Sequence, residues 1–318
     1  MIKNKVLARA VTLVFTGTAL SIGTAGDAAA HTMYNTFNAY SAPAATDGGS
    51  GTDGWTRVDG PGANYSLGAA LGSGGNAVKE WVGTSGAVPS QVRPFGYQGH
   101  QALNWAAEIH GAGDSLEISQ LDATNRYGSS WGYADIDTAR GAWNDKGPLG
   151  NATSGQGWAH NTDYGLFKSH VDVFVTLTPS TLAGNWNNFG ITVFTGMDSA
   201  TSSYSHHAGW NAKFLSGGDP DNSNPSENPA KLNNPHGTSG LTYLTHSELG
   251  DLTFLALADQ IYSIYLGGNS GSGNFGPHDG YKLAITTTAV PVPAAAWLFG
   301  GALAGLVGSH RRRRVVPA

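Results

Sequence analysis

The chain has 318 residues, of which 12% are charged, with 46 glycines, 9 tryptophans and no cysteine. Without thiols, disulfides and thiolate metal sites are excluded, and any metal must be held by imidazole, carboxylate, carbonyl oxygen, thioether or an amino terminus. The formal net charge is −5, and trimming both ends as read below leaves 10 basic and 21 acidic residues, near −11, a balance that excludes nucleic acid and anionic lipid as natural partners and favours cations.

In chain order, Lys3, Lys5 and Arg9 form a basic start, Ala10–Ile22 is apolar, and Ala28-Ala29-Ala30 offers a small-residue cleavage site. This is the layout of a signal peptide over residues 1–30, which makes the protein exported and His31 the mature N-terminus. An N-terminal histidine offers both its amine and a ring nitrogen to copper, and His31 is therefore a candidate metal ligand. In that respect it resembles the histidine-brace oxygenases that cut polysaccharides. That likeness stops at one residue, since Tyr34 and Phe37 are merely near it in sequence. An N-terminal copper oxygenase stands as a second alternative function.

Residues 31–288 read as an all-β extracellular domain, an antiparallel β-sandwich of jelly-roll type, with a break into two subdomains near residue 150 as the alternative. Short strands are predicted at Tyr65–Leu71, Leu103–His110, Ser115–Leu121 and Tyr133–Ile136, between polar loops at Gly48–Asp53 and Ser216–Asn234. No helix of useful length is predicted outside the terminal signals. Gly128-Ser129-Ser130-Trp131-Gly132 spells a nucleophile elbow, but the elbow needs a helix directly after it and Tyr133–Ile136 reads as a strand. Glu80, Glu108 and Glu117 could each pair with an Asp as glycosidase carboxylates, an idea left open because the sequence does not fix their separation. The expectation is a binding protein rather than an enzyme.

Period-two alternation is clearest from Gly165 to Leu177, read as one half-buried strand in which Phe174 breaks the pattern. Further strands are predicted at Asn188–Phe194, Leu241–Thr245, Leu252–Leu257, Ile261–Leu266 and Tyr281–Thr287, with Ala258-Asp259-Gln260 as a hairpin turn. The strand–turn–strand run at the end resembles the final strands of bacterial pre-peptidase C-terminal jelly rolls, which implies fold and not activity.

Two histidine clusters carry the candidate chemistry. In Trp158-Ala159-His160 the indole and imidazole, two residues apart, share one face of a strand. In Tyr204-Ser205-His206-His207 the adjacent histidines cannot both face one way on a regular strand, but at a strand end or turn one of them could converge with His160 across the sheet. The segments Gly157–Ser169, Phe189–Asp198 and Tyr204–His207 resemble the copper-repressible surface copper-binding proteins of methane-oxidising bacteria. The resemblance implies a Cu(I) site built from Trp158, oxidisable to kynurenine, from His160 and from a downstream histidine, His206 or His207, with His236 as a further candidate. Copper acquisition or storage would be its role. The alternative is a metal-free surface protein that binds exopolysaccharide through its tryptophans. Asp219-x-Asp221-x-Ser223 opens like a calcium loop, but Asn224 and Ala230 stand where the EF-hand wants glycine and glutamate. Calcium is the minor expectation.

At the C-terminus, Val290-Pro291-Val292-Pro293-Ala294 leads into an apolar run ending at Gly308, followed by Arg311–Arg314. About 20 apolar residues suffice for one membrane span, and the arginines should stay cytoplasmic. Together they resemble the PEP-CTERM sorting signal in its Val-Pro-Leu-Pro-Ala variant, with Val292 in place of leucine. That implies processing by an exosortase-type enzyme within 289–318 and delivery to the cell surface or its exopolysaccharide.

Overall fold

Runs of β-branched and aromatic residues that alternate with polar ones become strands because each can bury one face. The computed structural model describes residues 30–37, 78–90, 92–99, 103–130, 133–134, 136–144, 157–158, 162–181, 188–200, 233–235, 238–269, 278–291, 298–299, 301–303 and 306. Among them, in chain order, are β1 (His31–Phe37), β2 (Val78–Val82), β3 (Trp105–Ile109), β4 (Ser115–Ile118), β5 (Tyr133–Ala134), β6 (Asp137–Asn144) and β7 (Gly157–Trp158). Then come β8 (Asp163–Ser169), β9 (Val173–Thr181), β10 (Phe189–Thr195), β11 (Thr242–Ser247), β12 (Leu252–Ala256), β13 (Ile261–Asn269) and β14 (His278–Ala289).

One sheet runs β2-β1-β3-β8-β13-β10-β11 and the other β12-β9-β14-β4. Strand β6 bridges them, pairing with β13 and with β14. The result is the expected all-β sandwich, and neither sheet closes into a barrel. Most pairings are antiparallel, but β3–β8 and β6–β13 are parallel.

The main core lies between the sheets. From the first sheet it takes Trp105, Ile109 and Phe167, and from the second Val175, Leu177 and Ile285. Trp105 is fully buried, and its indole N–H donates to the Tyr281 hydroxyl at 2.8 Å. Gly165, directly opposite Trp105 in the β3–β8 ladder, makes room for the ring, since a Cβ there would sit 2.3 Å from it. The other face of the first sheet carries a second cluster, including Met33, Trp81, Tyr97, Tyr164, Phe194 and Tyr265. Burial raises the Tyr97 and Tyr164 hydroxyls above the ordinary tyrosine range.

Three sequence expectations need correction. The stretch from Gly165 to Leu177 is two strands, β8 and β9, that belong to different sheets and are joined by a turn at 170–172. Phe174 does not break the alternation; in β9 it faces outward while Val173, Val175 and Leu177 face in. Ala258–Gln260 is not a hairpin turn, because β12 pairs with β9 and β13 with β8, so this turn too crosses between the sheets. Finally, the strand expected over Ser115–Leu121 stops at Ile118 and gives way to helix α1 (Gln120–Tyr127), where no helix was expected. Ser119 explains the switch: its hydroxyl accepts from the Asp122 N–H at 3.0 Å as an N-cap. Gly128 ends the helix at φ 79°. Asp122 then accepts from the Thr32 and Tyr34 hydroxyls, each at 2.6 Å, which fastens α1 to β1.

Tyr65–Leu71, the loop Gly48–Asp53 and residues 1–29 lie outside the described residues. In the apolar C-terminal segment, 298–299, 301–303 and 306 are helical and exposed. No helix among the described residues is long and apolar enough to cross a membrane.

Candidate metal centre

Strand register gathers the site. In the β1–β3 ladder His31 stands directly opposite Glu108, so the two side chains share a face. His110 lies two residues beyond Glu108 and is on that same face, just past the end of β3. On the far side of β3, Lys168 of β8 is also opposite Glu108, and His170 follows two residues later at the start of the turn to β9. Met33, Ala106 and Leu166, which share this face by the same period, belong to the second cluster. The five polar side chains therefore continue an apolar face at its end.

One donor atom each from His31, Glu108 and His110 can be chosen so that all lie within 4.8 Å of one another. His31 Nε2 is 3.6 Å from Glu108 Oε2. The rings of His31 and His110 stack with centroids 6.0 Å apart, and His110 stacks on His170 at 4.7 Å. His110 Nε2 is buried and finds no hydrogen-bond partner among the described residues. A buried, unpartnered imidazole nitrogen is unfavourable in an apoprotein and is relieved by a metal ion. The other oxygen, Glu108 Oε1, is 2.8 Å from His170 Nε2 and 3.5 Å from Lys168 Nζ. All of these groups are partly exposed, Glu108 at 17% and His31 at 32% of the side chain.

Of the residues singled out from the sequence, His31 is in this group. Trp158 lies in β7, paired with Trp143 of β6. His160, His206, His207 and His236 lie outside the described residues, as do Asp219 and Asp221. In the sequence Glu108 stands only as one of three carboxylates able to pair with an Asp as in a glycosidase, and His110 and His170 are not singled out. The signal was present nonetheless: Glu108-x-His110 and Lys168-x-His170 have the same two-residue spacing as Trp158-x-His160. Elsewhere, His246 Nδ1 lies 2.8 Å from the Tyr243 hydroxyl, and burial lowers the His246 ring below the usual histidine range while Glu248 opposes that shift.

No family model matches the chain, and no curated protein matches it. Among solved structures it is similar to PliG of Aeromonas hydrophila, a periplasmic inhibitor of g-type lysozyme, at 10% identity and a TM-score of 0.23, over 57% of this chain and 97% of that one. It is also similar to CorA of Methylomicrobium album BG8, described as a surface-associated copper-binding protein important in copper acquisition, at 12% identity and a TM-score of 0.23. That match covers 58% of this chain and 98% of the other. At this TM-score neither likeness carries an argument about this chain.

Proposed function

We propose that this chain is an exported copper-binding protein that holds the ion on an open sheet face, through His31, Glu108 and His110. The observation that carries the reading is the convergence of their three donor atoms within 4.8 Å, beside a buried His110 nitrogen without a partner among the described residues. Two imidazoles and a carboxylate, with no thiol in the chain, suit a divalent first-row ion, and copper stands highest in affinity for such donors. This donor set favours Cu(II) over the Cu(I) implied by the tryptophan–histidine resemblance. The acidic balance of the chain raises cation concentration near it.

The leader ending in Ala28-Ala29-Ala30 supports export, and cleavage after Ala30 would add the His31 amine as a further donor. The proline-led C-terminal segment supports sorting to the cell surface. Binding, not turnover, is the proposed activity. The test is metal analysis of the purified protein with and without His31→Ala and His110→Ala. Near-stoichiometric copper in the wild type, lost in both variants, is the expected result. Zinc retained in preference to copper would sink the choice of metal.

A further inference from the structure

Both sheets meet at the metal centre through the two turns that the sequence did not reveal as crossings. The β8–β9 turn carries His170 and Asp172, and the β12–β13 turn carries Ala258 and Asp259. They are tied together: the Ala258 N–H donates to Asp172 Oδ1 at 2.8 Å and the Asp259 N–H to the Ser169 carbonyl at 2.6 Å. The His170 N–H donates to the Ile109 carbonyl at 2.9 Å, which fixes this turn against the end of β3. Asp259 takes a left-handed backbone, φ 60°, at the tip of its turn.

The His170 ring is held from three sides. Its Nδ1 lies 2.8 Å from Asp259 Oδ1, its Nε2 lies 2.8 Å from Glu108 Oε1, and its face stacks on His110. Lys168 Nζ closes the ring of charges, 3.5 Å from Glu108 Oε1 and 3.7 Å from Asp259 Oδ1. The oxygens of Glu108 are thereby divided, Oε1 to His170 and Lys168, Oε2 towards His31.

Resting on the metal reading above, we infer that His170, anchored by Asp259, is a positioning residue that holds Glu108 and His110 in place for the ion. Both of its ring nitrogens already face carboxylates, so it supports the ligands without being one. A partly exposed glutamate near the end of a strand otherwise samples several rotamers, and ordering it is part of what binding must overcome. Outer partners that fix ligand orientation carry a 10–100-fold share of metal affinity in other sites, roughly the size expected here. The ion would thus be coupled to both turns, and through them to the second sheet.

The test uses the full chain, titrated with Cu(II) and read by calorimetry and by electron paramagnetic resonance. His170→Gln keeps a donor of similar reach but loses the second nitrogen anchored by Asp259. Asp259→Asn removes that anchor's charge in a residue type that tolerates the left-handed backbone. Affinity should fall about 10–100-fold in His170→Gln and about tenfold in Asp259→Asn, while the number of copper-coupled nitrogens stays as in the wild type. Unchanged affinity in both variants overturns the positioning role. Loss of one coupled nitrogen in His170→Gln also overturns it, by making His170 a ligand. A wild type that binds no copper instead overturns the metal reading, so the two failures are distinguishable.

Discussion

Strand β3 presents two faces with different tasks. Trp105, Ala107 and Ile109 point into the core between the sheets, all fully buried and closely packed. Ala106, Glu108 and His110 point the other way, from the second cluster out to the partly exposed histidine group. Five consecutive residues and the one after them thus separate stability from chemistry by the simple alternation of a strand. The inner face tolerates little change in volume, whereas the outer end holds polar groups whose arrangement matters more than their packing.

Trp105→Ala should break the inner face most severely. Truncating a buried tryptophan costs about 3–5 kcal/mol, and it removes the indole N–H that donates to the Tyr281 hydroxyl. Denaturant unfolding should show the loss, while copper binding per folded molecule stays close to wild type. His110→Ala should do the reverse. We expect more than about a 100-fold loss of Cu(II) affinity, exceeding the 10–100-fold typical of outer-shell changes, with a stability change of no more than about 1 kcal/mol. Competition titration and thermal melting read the two effects separately.

Gly165→Ala sharpens the comparison on the neighbouring strand. The added methyl would meet the Trp105 ring at 2.3 Å, and overpacking of this kind costs about 1–3 kcal/mol. A melting temperature equal to wild type would show that the indole has room to move. The smallest effect concerns pH. His246 has its ring lowered in the folded state, so its contribution to stability is present above the unfolded value of about 6.5 and fades as pH falls from there through the folded one. His246→Asn should therefore flatten the acid arm of the stability curve measured between about pH 7.5 and pH 5.

The inner face of the sandwich was legible from sequence because burial writes a local period-two pattern. Val173, Val175 and Leu177 are visible in any window of a few residues, and β10 to β14 lie where shorter strand-like runs placed them. The crossings at 170–172 and 258–260 were not legible, since a turn within one sheet and a turn between two sheets need the same short polar residues. Helix α1 hid behind the apolar Leu116 and Ile118, although Ser119 with Asp122 three residues on is a capping signal. The candidate metal centre was hidden for a different reason. Glu108-x-His110 sets a shared face, but its encounter with His31 and with Lys168, 60 residues further along, depends on the registers of an antiparallel and a parallel ladder. A local pattern fixes which face a residue takes, not which residue of a distant strand stands opposite it. His31 was found for a separate reason, its place after Ala30.

The most direct test of the central claim is a Cu(II) titration of wild type and of the His31→Ala/His110→Ala double variant, followed by electron paramagnetic resonance. One copper should bind per wild-type chain with at least two coupled nitrogens, and none at that affinity in the double variant. Equal copper binding by the double variant, particularly if His160→Ala abolished it, would contradict the account and move the site to Trp158 and His160.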